Sequence, residues 1–289
     1  MSISDGYRHM KFVRYDSPAG PAFGALKESG AIYAIDGDIF TDYTVGAQIG
    51  TTDDTCLIAP LQPGKVIAVG ANYLAHILEN HGPEAIPKFP MLFMKPTTAV
   101  IGPGQAIKLP DPSRFTQAIN DTDLQNDPFG EVHFEAELVA VVGKTCRNIS
   151  EADALDYLLG FSCGNDVSAR DLQMKEMATG VLLMSKGMDT FAPLGPCIAT
   201  DLDPENLSIG ARLNGKEVQN SSTSDLLFSV ASLVAYISQG VTLEPGDCIY
   251  TGTPAGPSAL SSGDSIEIEV EGIGILRNPV ENDASAAGS

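Results

Sequence analysis

The sequence predicts an α+β fold, strand-rich, with a small N-terminal β domain over residues 1–60, a larger domain over 61–281 and a flexible tail over 282–289. Three observations predict it. Apolar residues recur in short runs bounded by Gly, Pro, Asp and Ser, which is how strands and their turns read. Helical spacing holds over a few short segments, too few to alternate with the strands as a doubly wound fold requires. A Pro-containing connection, Ala59-Pro-Leu-Gln-Pro-Gly64, separates the first set of runs from the rest.

Between about Met10 and Ile58 the turn signals Ser17-Pro-Ala-Gly20, Glu28-Ser-Gly30 and Asp36-Gly-Asp38 cut the chain into a β-meander. The larger domain opens on Lys65-Val-Ile-Ala-Val-Gly70, a buried strand, and continues into a short helix with Asn72 as N-cap and Gly82 past its end. Met91–Lys95 reads as a strand, and Val100–Leu109 as a hairpin turning at Gly102-Pro-Gly104. Asp111–Gly130 is polar, acidic and aperiodic, a long loop of the kind that in compact domains is either functional or mobile. A strand over His133–Gly143 follows. Ser150-x-x-Asp153 then opens a short helix with Leu155, Leu158 and Leu159 inward, and strand Phe161–Cys163 delivers Asn165-Asp166. Leu226, Leu227, Val230, Leu233, Val234 and Ile237 keep helical spacing, so a helix runs from Thr223 to Gln239 and stops at Gly240. Strands at Cys248–Thr251 and Ile266–Val270 end the domain, and the Ala/Ser/Gly/Asp-rich tail frays.

Bulk composition sets limits on function. With 289 residues, 43% hydrophobic and 19% charged, the chain has ample core for a globular protein. A formal net charge of −20 argues against nucleic acid or an anionic membrane surface as partner, and obliges any anionic substrate to find a locally positive pocket. No apolar run approaches the roughly 20 residues that span a bilayer, and Met1-Ser-Ile-Ser-Asp5 lacks the pattern of a signal peptide. Cysteines 56, 146, 163, 197 and 248 are scattered without a Cys-x-x-Cys pair, which reads as reduced thiols in a cytoplasmic protein.

The stretch His133-Phe-Glu-Ala-Glu-Leu-Val-Ala-Val-Val-Gly143 carries the first chemical signal. Side chains alternate across a strand, so Glu135 and Glu137 share one face while Phe134, Ala136 and Leu138 take the other. Two adjacent carboxylates repel and lose hydration on a half-buried strand, which a divalent cation would compensate; a strand edge whose acids face water is the other reading. Asp166, just past a strand end, is either a third ligand or a turn residue. Three carboxylates without imidazole or thiolate would select Mg²⁺, Mn²⁺ or Ca²⁺. On the helix after Asn72, His76 and Glu79 are three apart and share a face, either as a base with its orienting carboxylate or as a surface ion pair. His81, at the helix end, complements the dipole. Lys186, Arg170 and Lys95 are candidates to neutralise a substrate carboxylate or are plain surface charges, and the Thr251-Gly-Thr-Pro254 turn either offers an anion a hydroxyl and backbone N–H groups or is an ordinary β-turn.

From about Lys65 to Pro279 these segments resemble, in order, the fumarylacetoacetate hydrolase family: Val69-Gly-Ala-Asn-Tyr-x-x-His-x-x-Glu79, Phe93-Met-Lys-Pro96, Glu135-x-Glu137, Asn165-Asp-Val-Ser-Ala-Arg-Asp-x-Gln173, Lys186-Gly-x-Asp189, Leu213-Asn-Gly215 and Thr251-Gly-Thr-Pro254. The resemblance implies a mixed β-roll catalytic domain in a homodimer, with Glu135, Glu137 and Asp166 holding Mg²⁺ or Mn²⁺. It implies His76, Glu79 and Lys186 as catalytic residues, and Arg170, Gln173, Thr253, Lys95 and Tyr73 around a 2-oxo or diketo acid. The implied reaction is hydrolytic C–C cleavage of an acylpyruvate- or fumarylacetoacetate-like acid; decarboxylation and isomerisation or tautomerisation of 2-oxo or hydroxymuconate-type acids are alternatives on the same platform, and a binding protein of the same fold is a further one. Between Gln173 and Lys186 the chain has no aromatic where relatives commonly carry one, which points to a bulkier or more apolar acyl group. Glu135→Gln is expected to abolish metal binding yet spare the fold, since it removes a repulsion.

Overall fold

The computed structural model describes residues 9–80, 82–112 and 129–283; His81, most of the expected 111–130 loop and the tail beyond residue 283 lie outside these. The expected meander forms from strands Lys11–Ser17, Gly20–Leu26, Ala31–Gly37 and Tyr43–Thr51, each antiparallel to the next. It is not hydrogen-bonded as a separate sheet. Lys11–Ser17 pairs with Ala192–Ala199, with Phe12 opposite Ile198, so the meander continues a twelve-stranded sheet. From Ala192–Ala199 that sheet runs through Leu158–Asn165, Ala136–Val142, Cys248–Tyr250 and Val66–Gly70 to an edge at Met91–Lys95. A five-stranded sheet carries Lys216–Ser222, Ser208–Leu213, Ser265–Val270, Gly274–Asn282 and Ile107–Leu109 in that order.

Ala136–Val142 is central and wholly buried, because apolar layers cover both its faces. Ala136, Leu138, Ala140 and Val142 pack into the larger cluster with Ile266, Ile268 and the helix Val230–Gly240. Val139 and Val141 pack on the other side with Phe12, Val66, Ala68 and Tyr250. Burying Leu138 fully contributes about 1.5–3 kcal/mol. No helix among the described residues is long and apolar enough to cross a membrane. Cys146, Cys163, Cys197 and Cys248 are buried free thiols, and Cys56 is exposed.

Several elements depart from expectation for identifiable reasons. Val100–Ile101 and Ile107–Leu109 do not form a hairpin; they pair in parallel with Ala192–Ala199 and Gly274–Asn282 respectively. Asn278 ties down the turn between them, its amide donating to the Gly102 and Gln105 carbonyls at 2.9 and 2.8 Å. The segment after Ser150 is a 3₁₀ helix, Glu151–Tyr157, with Leu155 exposed, because Leu158 and Leu159 belong to the strand Leu158–Asn165. The last helix is shorter than its apolar spacing, Val230–Gly240, since Ser229 caps it by accepting from Ser232 N at 3.1 Å. Asn72, the expected N-cap of helix Leu74–Asn80, turns its side-chain oxygen to the Phe228 N–H, at 2.8 Å, and its amide N–H groups to the carbonyls of Phe228 and Thr251, at 3.0 and 2.7 Å.

Candidate active site

The strand expected over His133–Gly143 is broken where its acids begin. Val132–His133 pairs with Ser168–Ala169, while the strand proper starts at Ala136. At the break, side chains take the backbone donors: Asn165 Oδ1 accepts from Glu135 N at 2.9 Å, and Gln219 Oε1 from Ala136 N at 3.0 Å. The extended course is thereby kept, and Glu135 and Glu137 emerge on one face. Ala136 lies opposite Asn165 in the ladder, so Asp166, the next residue, emerges beside them; its N–H donates to the Glu135 carbonyl at 2.9 Å. Ligand atoms of Glu135, Glu137 and Asp166 all lie within 4.8 Å of one another, and all three residues are buried.

Cations offset this charge unevenly. Lys186 Nζ donates to Glu135 Oε2 at 2.9 Å and to Asp166 Oδ2 at 2.6 Å, and the Arg170 guanidinium reaches Glu135 Oε1 at 2.7 Å. Lys95 pairs with Asp166 Oδ1 and donates to the Val167 carbonyl at 3.3 Å. Glu137 receives the Gly252 N–H at 2.8 Å. Burial works against ionisation of Glu135, but Lys186, Arg170 and His76 outweigh it and hold its carboxyl far below the usual range. Burial, reinforced by Asp166 and Glu135, pushes Glu137 well above that range. Burial also lowers Lys95, whereas for Lys186 the Asp166 and Glu135 charges overcome burial and raise it. One carboxyl of the three is therefore short of positive charge. A hard divalent cation fits this donor set: it would supply the charge that Glu137 lacks and take oxygen ligands it prefers.

Glu135 and Glu137 open on a cavity of about 260 Å³. His76, Arg170, Gln173, Lys186 and Thr253 line it beside Glu135 and Glu137, and Phe93, Met91, Met177 and Leu182 form an apolar wall. The Phe93 ring centroid is 5.3 Å from Lys186 Nζ, a cation–π contact. Arg170 also donates to Gln173 Oε1 at 2.5 Å, and Gln219 Nε2 donates to Thr253 Oγ1 at 2.9 Å. Burial lowers the His76 pKa below 6.5, with Glu135 opposing, so the imidazole is neutral near pH 7. A hollow of about 290 Å³ on the five-stranded sheet holds the half-exposed Arg212–Glu269 pair and none of these carboxylates.

Glu79 is exposed and accepts the Gly256 N–H at 3.1 Å; it lies outside the cavity lining. Two residues expected around a substrate are not on the cavity wall. Lys95 is 1% exposed and spends its ammonium behind Asp166. Tyr73 is equally buried, its hydroxyl has no hydrogen-bond partner among the described residues, and burial raises its pKa. Sequence reasoning missed Asn165, Gln219 and Phe93 as site residues, while the backbone N–H it offered from the Thr251–Pro254 turn is the one Gly252 gives to Glu137. Gln219 gave no signal, being a glutamine in a polar strand; Asn165 and Phe93 stood inside quoted motifs without a stated role.

Fold and site define a strand-rich α+β protein with a buried three-carboxylate, lysine-bridged centre opening on a cavity. The chain belongs to the fumarylacetoacetate hydrolase family: the family model "Fumarylacetoacetate (FAA) hydrolase C-terminal" matches residues 65–281, and an "Rv2993c-like, N-terminal" model matches 10–60. The family includes isomerases, tautomerases and hydrolases. The chain is 41% identical over 235 residues to the mitochondrial oxaloacetate tautomerase fahd2 of Xenopus laevis, covering 78% of this chain and 68% of that protein. Its structure is similar to 5-carboxymethyl-2-hydroxymuconate delta-isomerase from Mycobacterium smegmatis, at 40% identity and TM-score 0.81, covering 95% of this chain and all of the other. It is also similar to maleylpyruvate hydrolase from Sphingobium sp. SYK-6 in complex with manganese(II) and pyruvate, at 27% identity and TM-score 0.72, covering 94% and 99%.

Proposed function

We propose that this chain is a Mg²⁺- or Mn²⁺-dependent enzyme of 2-oxo acids whose central event is formation and reprotonation of an enolate, as in a tautomerase or isomerase. The carrying observation is Lys186, buried, held between Glu135 and Asp166 and facing the cavity beside His76. Glu135, Glu137 and Asp166 would hold the cation, which when bound supplies Lewis acidity to the oxygens of a 2-oxo acid. Lys186, kept charged by its two carboxylates, places positive charge where enolate charge develops. His76, neutral near pH 7, is equipped to take and return a carbon-bound proton. Arg170, Gln173 and Thr253 supply polar groups to orient the acid, and the apolar wall of Phe93, Met91, Met177 and Leu182 suits an acyl or alkyl tail. The named tautomerase and isomerase relatives support the same reading. We place the enzyme in the cytoplasm as a homodimer.

Hydrolytic C–C cleavage is the second reading, favoured by the likeness to maleylpyruvate hydrolase. It asks more of the site, namely a carboxylate-backed imidazole to activate water; Glu79, off the cavity wall, acts on the imidazole by its charge, opposing the lowering of the His76 pKa. The test is a panel of oxaloacetate, hydroxymuconate-type acids and acylpyruvates with Mn²⁺ and with EDTA, followed by ultraviolet absorbance and product analysis. Metal-dependent enol–keto interconversion is expected. Turnover indifferent to EDTA overturns the proposal, and cleavage products without interconversion favour the second reading.

A further inference from the structure

The lysine that bridges the carboxylates rides on a short helix, Met184–Gly187. Its first-turn N–H groups have no partner within the helix and need an outside acceptor. That acceptor is Glu176, one residue before the end of the helix Arg170–Met177. Glu176 Oε1 accepts from Met184 N at 2.9 Å, and Oε2 accepts from Ser185 N at 2.9 Å and Ser185 Oγ at 2.5 Å. The link between the helices, residues 178–183, is poorly packed: Val181 and Leu183 are exposed, and Gly180 has φ 75°. At the other end Gly187 lies against Pro96, where a Cβ would fall 2.5 Å from Pro96 Cδ. The lysine helix is thus seated by Pro96 at its end and held by one carboxylate at its start.

We infer that Glu176 is a positioning residue: by clamping the first turn of the Lys186 helix onto the helix that bears Arg170 and Gln173, it sets the Lys186 ammonium against Glu135 and Asp166. Glu176 is outside the cavity lining and is none of the three carboxylates, so it acts through Lys186. The inference rests on the proposed metal site and names a residue that the sequence did not single out.

The test is a double-mutant cycle between Glu176→Ala and Lys186→Met, read by Mn²⁺ affinity in calorimetry and by steady-state kinetics. Lys186→Met removes a cation from the carboxylates and is expected to tighten Mn²⁺ several-fold while abolishing turnover. Glu176→Ala is expected to tighten Mn²⁺ less, in the same direction, and to lower kcat on the order of 10- to 100-fold with KM little changed, as a misplaced catalytic group does. In the Lys186→Met background it should leave Mn²⁺ affinity unchanged. Ser185→Ala, which keeps both backbone bonds, and Glu176→Gln, which keeps one acceptor oxygen, should fall between wild type and Glu176→Ala and serve if the latter unfolds. An equal effect of Glu176→Ala on Mn²⁺ affinity in both backgrounds, or no effect in either, overturns the inference. Wild-type protein that binds no Mn²⁺ overturns the metal reading and the inference with it. Binding that responds to Lys186→Met but not to Glu176→Ala overturns the inference alone.

Discussion

Glu137 is the carboxyl whose ionisation the site supports least, and Glu137→Gln therefore separates metal binding from folding. Glutamine has nearly the same shape and keeps an acceptor oxygen for the Gly252 N–H, bonded at 2.8 Å in the native chain. The Glu137 pKa in the folded chain is raised, chiefly by burial and then by Asp166 and Glu135. A raised value means that the group's contribution to stability is complete below its ordinary value of 4.5 and is lost as pH rises through the folded-state value. Above that value, without a cation, native protein carries a cost that the amide does not. In EDTA, then, the variant should unfold at the same temperature as wild type or higher. Mn²⁺ reverses the ranking. At about 100 times its Kd, a ligand bound only by the folded state contributes about 2.7 kcal/mol. At about 2–4 °C per kcal/mol for a domain of this size, the wild-type midpoint should rise by about 5–10 °C. Glu137→Gln, with one of three ligands gone, should show a shift near zero at the same concentration. Calorimetry with matched EDTA and Mn²⁺ samples measures both quantities. A variant that keeps the full Mn²⁺ shift, or that unfolds several degrees early in EDTA, refutes the reasoning.

Neighbouring positions should behave differently. Glu135→Gln leaves the buried Lys186 with Asp166 as its remaining acid and deprives Arg170 of its carboxylate, so it should destabilise by about 3–5 kcal/mol in urea titrations, against the expectation of an intact fold drawn from repulsion. Gly164→Ala, directly across the ladder from Glu137, would set its Cβ 2.4 Å from Val139 Cγ2 and 2.5 Å from Tyr250 Cε1. That overpacking should cost about 1–3 kcal/mol and weaken Mn²⁺ binding, measurable by denaturant and metal titration. The His76 pKa is lowered below 6.5, mainly by burial, so its stabilising neutral form is lost as pH falls through the folded-state value, not above it. The acid limb of kcat/KM that disappears in His76→Gln should accordingly lie below pH 6.5; an assigned limb above it would contradict the burial argument.

What the sequence shows well is what a single strand or a short spacing determines. The alternation around Ala136 put Glu135 and Glu137 on one face and Leu138 on the other, and the packing has that arrangement. Strands at Val66–Gly70, Met91–Lys95 and Ser265–Val270 stand where their apolar runs place them. Pairing partners were not legible, because they depend on residues far away in sequence. Gly102-Pro-Gly104 has the composition of a hairpin turn, yet its flanking strands go to different sheets and the Gly102 and Gln105 carbonyls are held by Asn278, some 175 positions on. Helices were harder still. Arg170–Met177 buries none of its residues, so no apolar stripe announced it.

Electrostatic roles were the least legible part of the site, and the reason is arithmetic. Apart from the family resemblance, Lys95, Arg170 and Lys186 looked interchangeable in sequence, three cations free to meet a substrate carboxylate. In the fold each is already engaged with a site acid: Lys95 from behind Asp166, Arg170 beside Glu135, Lys186 across both. Fully ionised, three acids and three cations cancel. The chain's net charge of −20 is therefore not the charge of the site, where the paired acids and cations among the described residues balance before any cation enters and leave a positive excess once a dication does. Neutrality is also unevenly distributed, since Glu135 and Asp166 share the contacts and Glu137 has a single backbone N–H. An anionic substrate is thus drawn by a charge that the chain's own lysines and arginine have made room for, which the bulk composition, read alone, would have argued against.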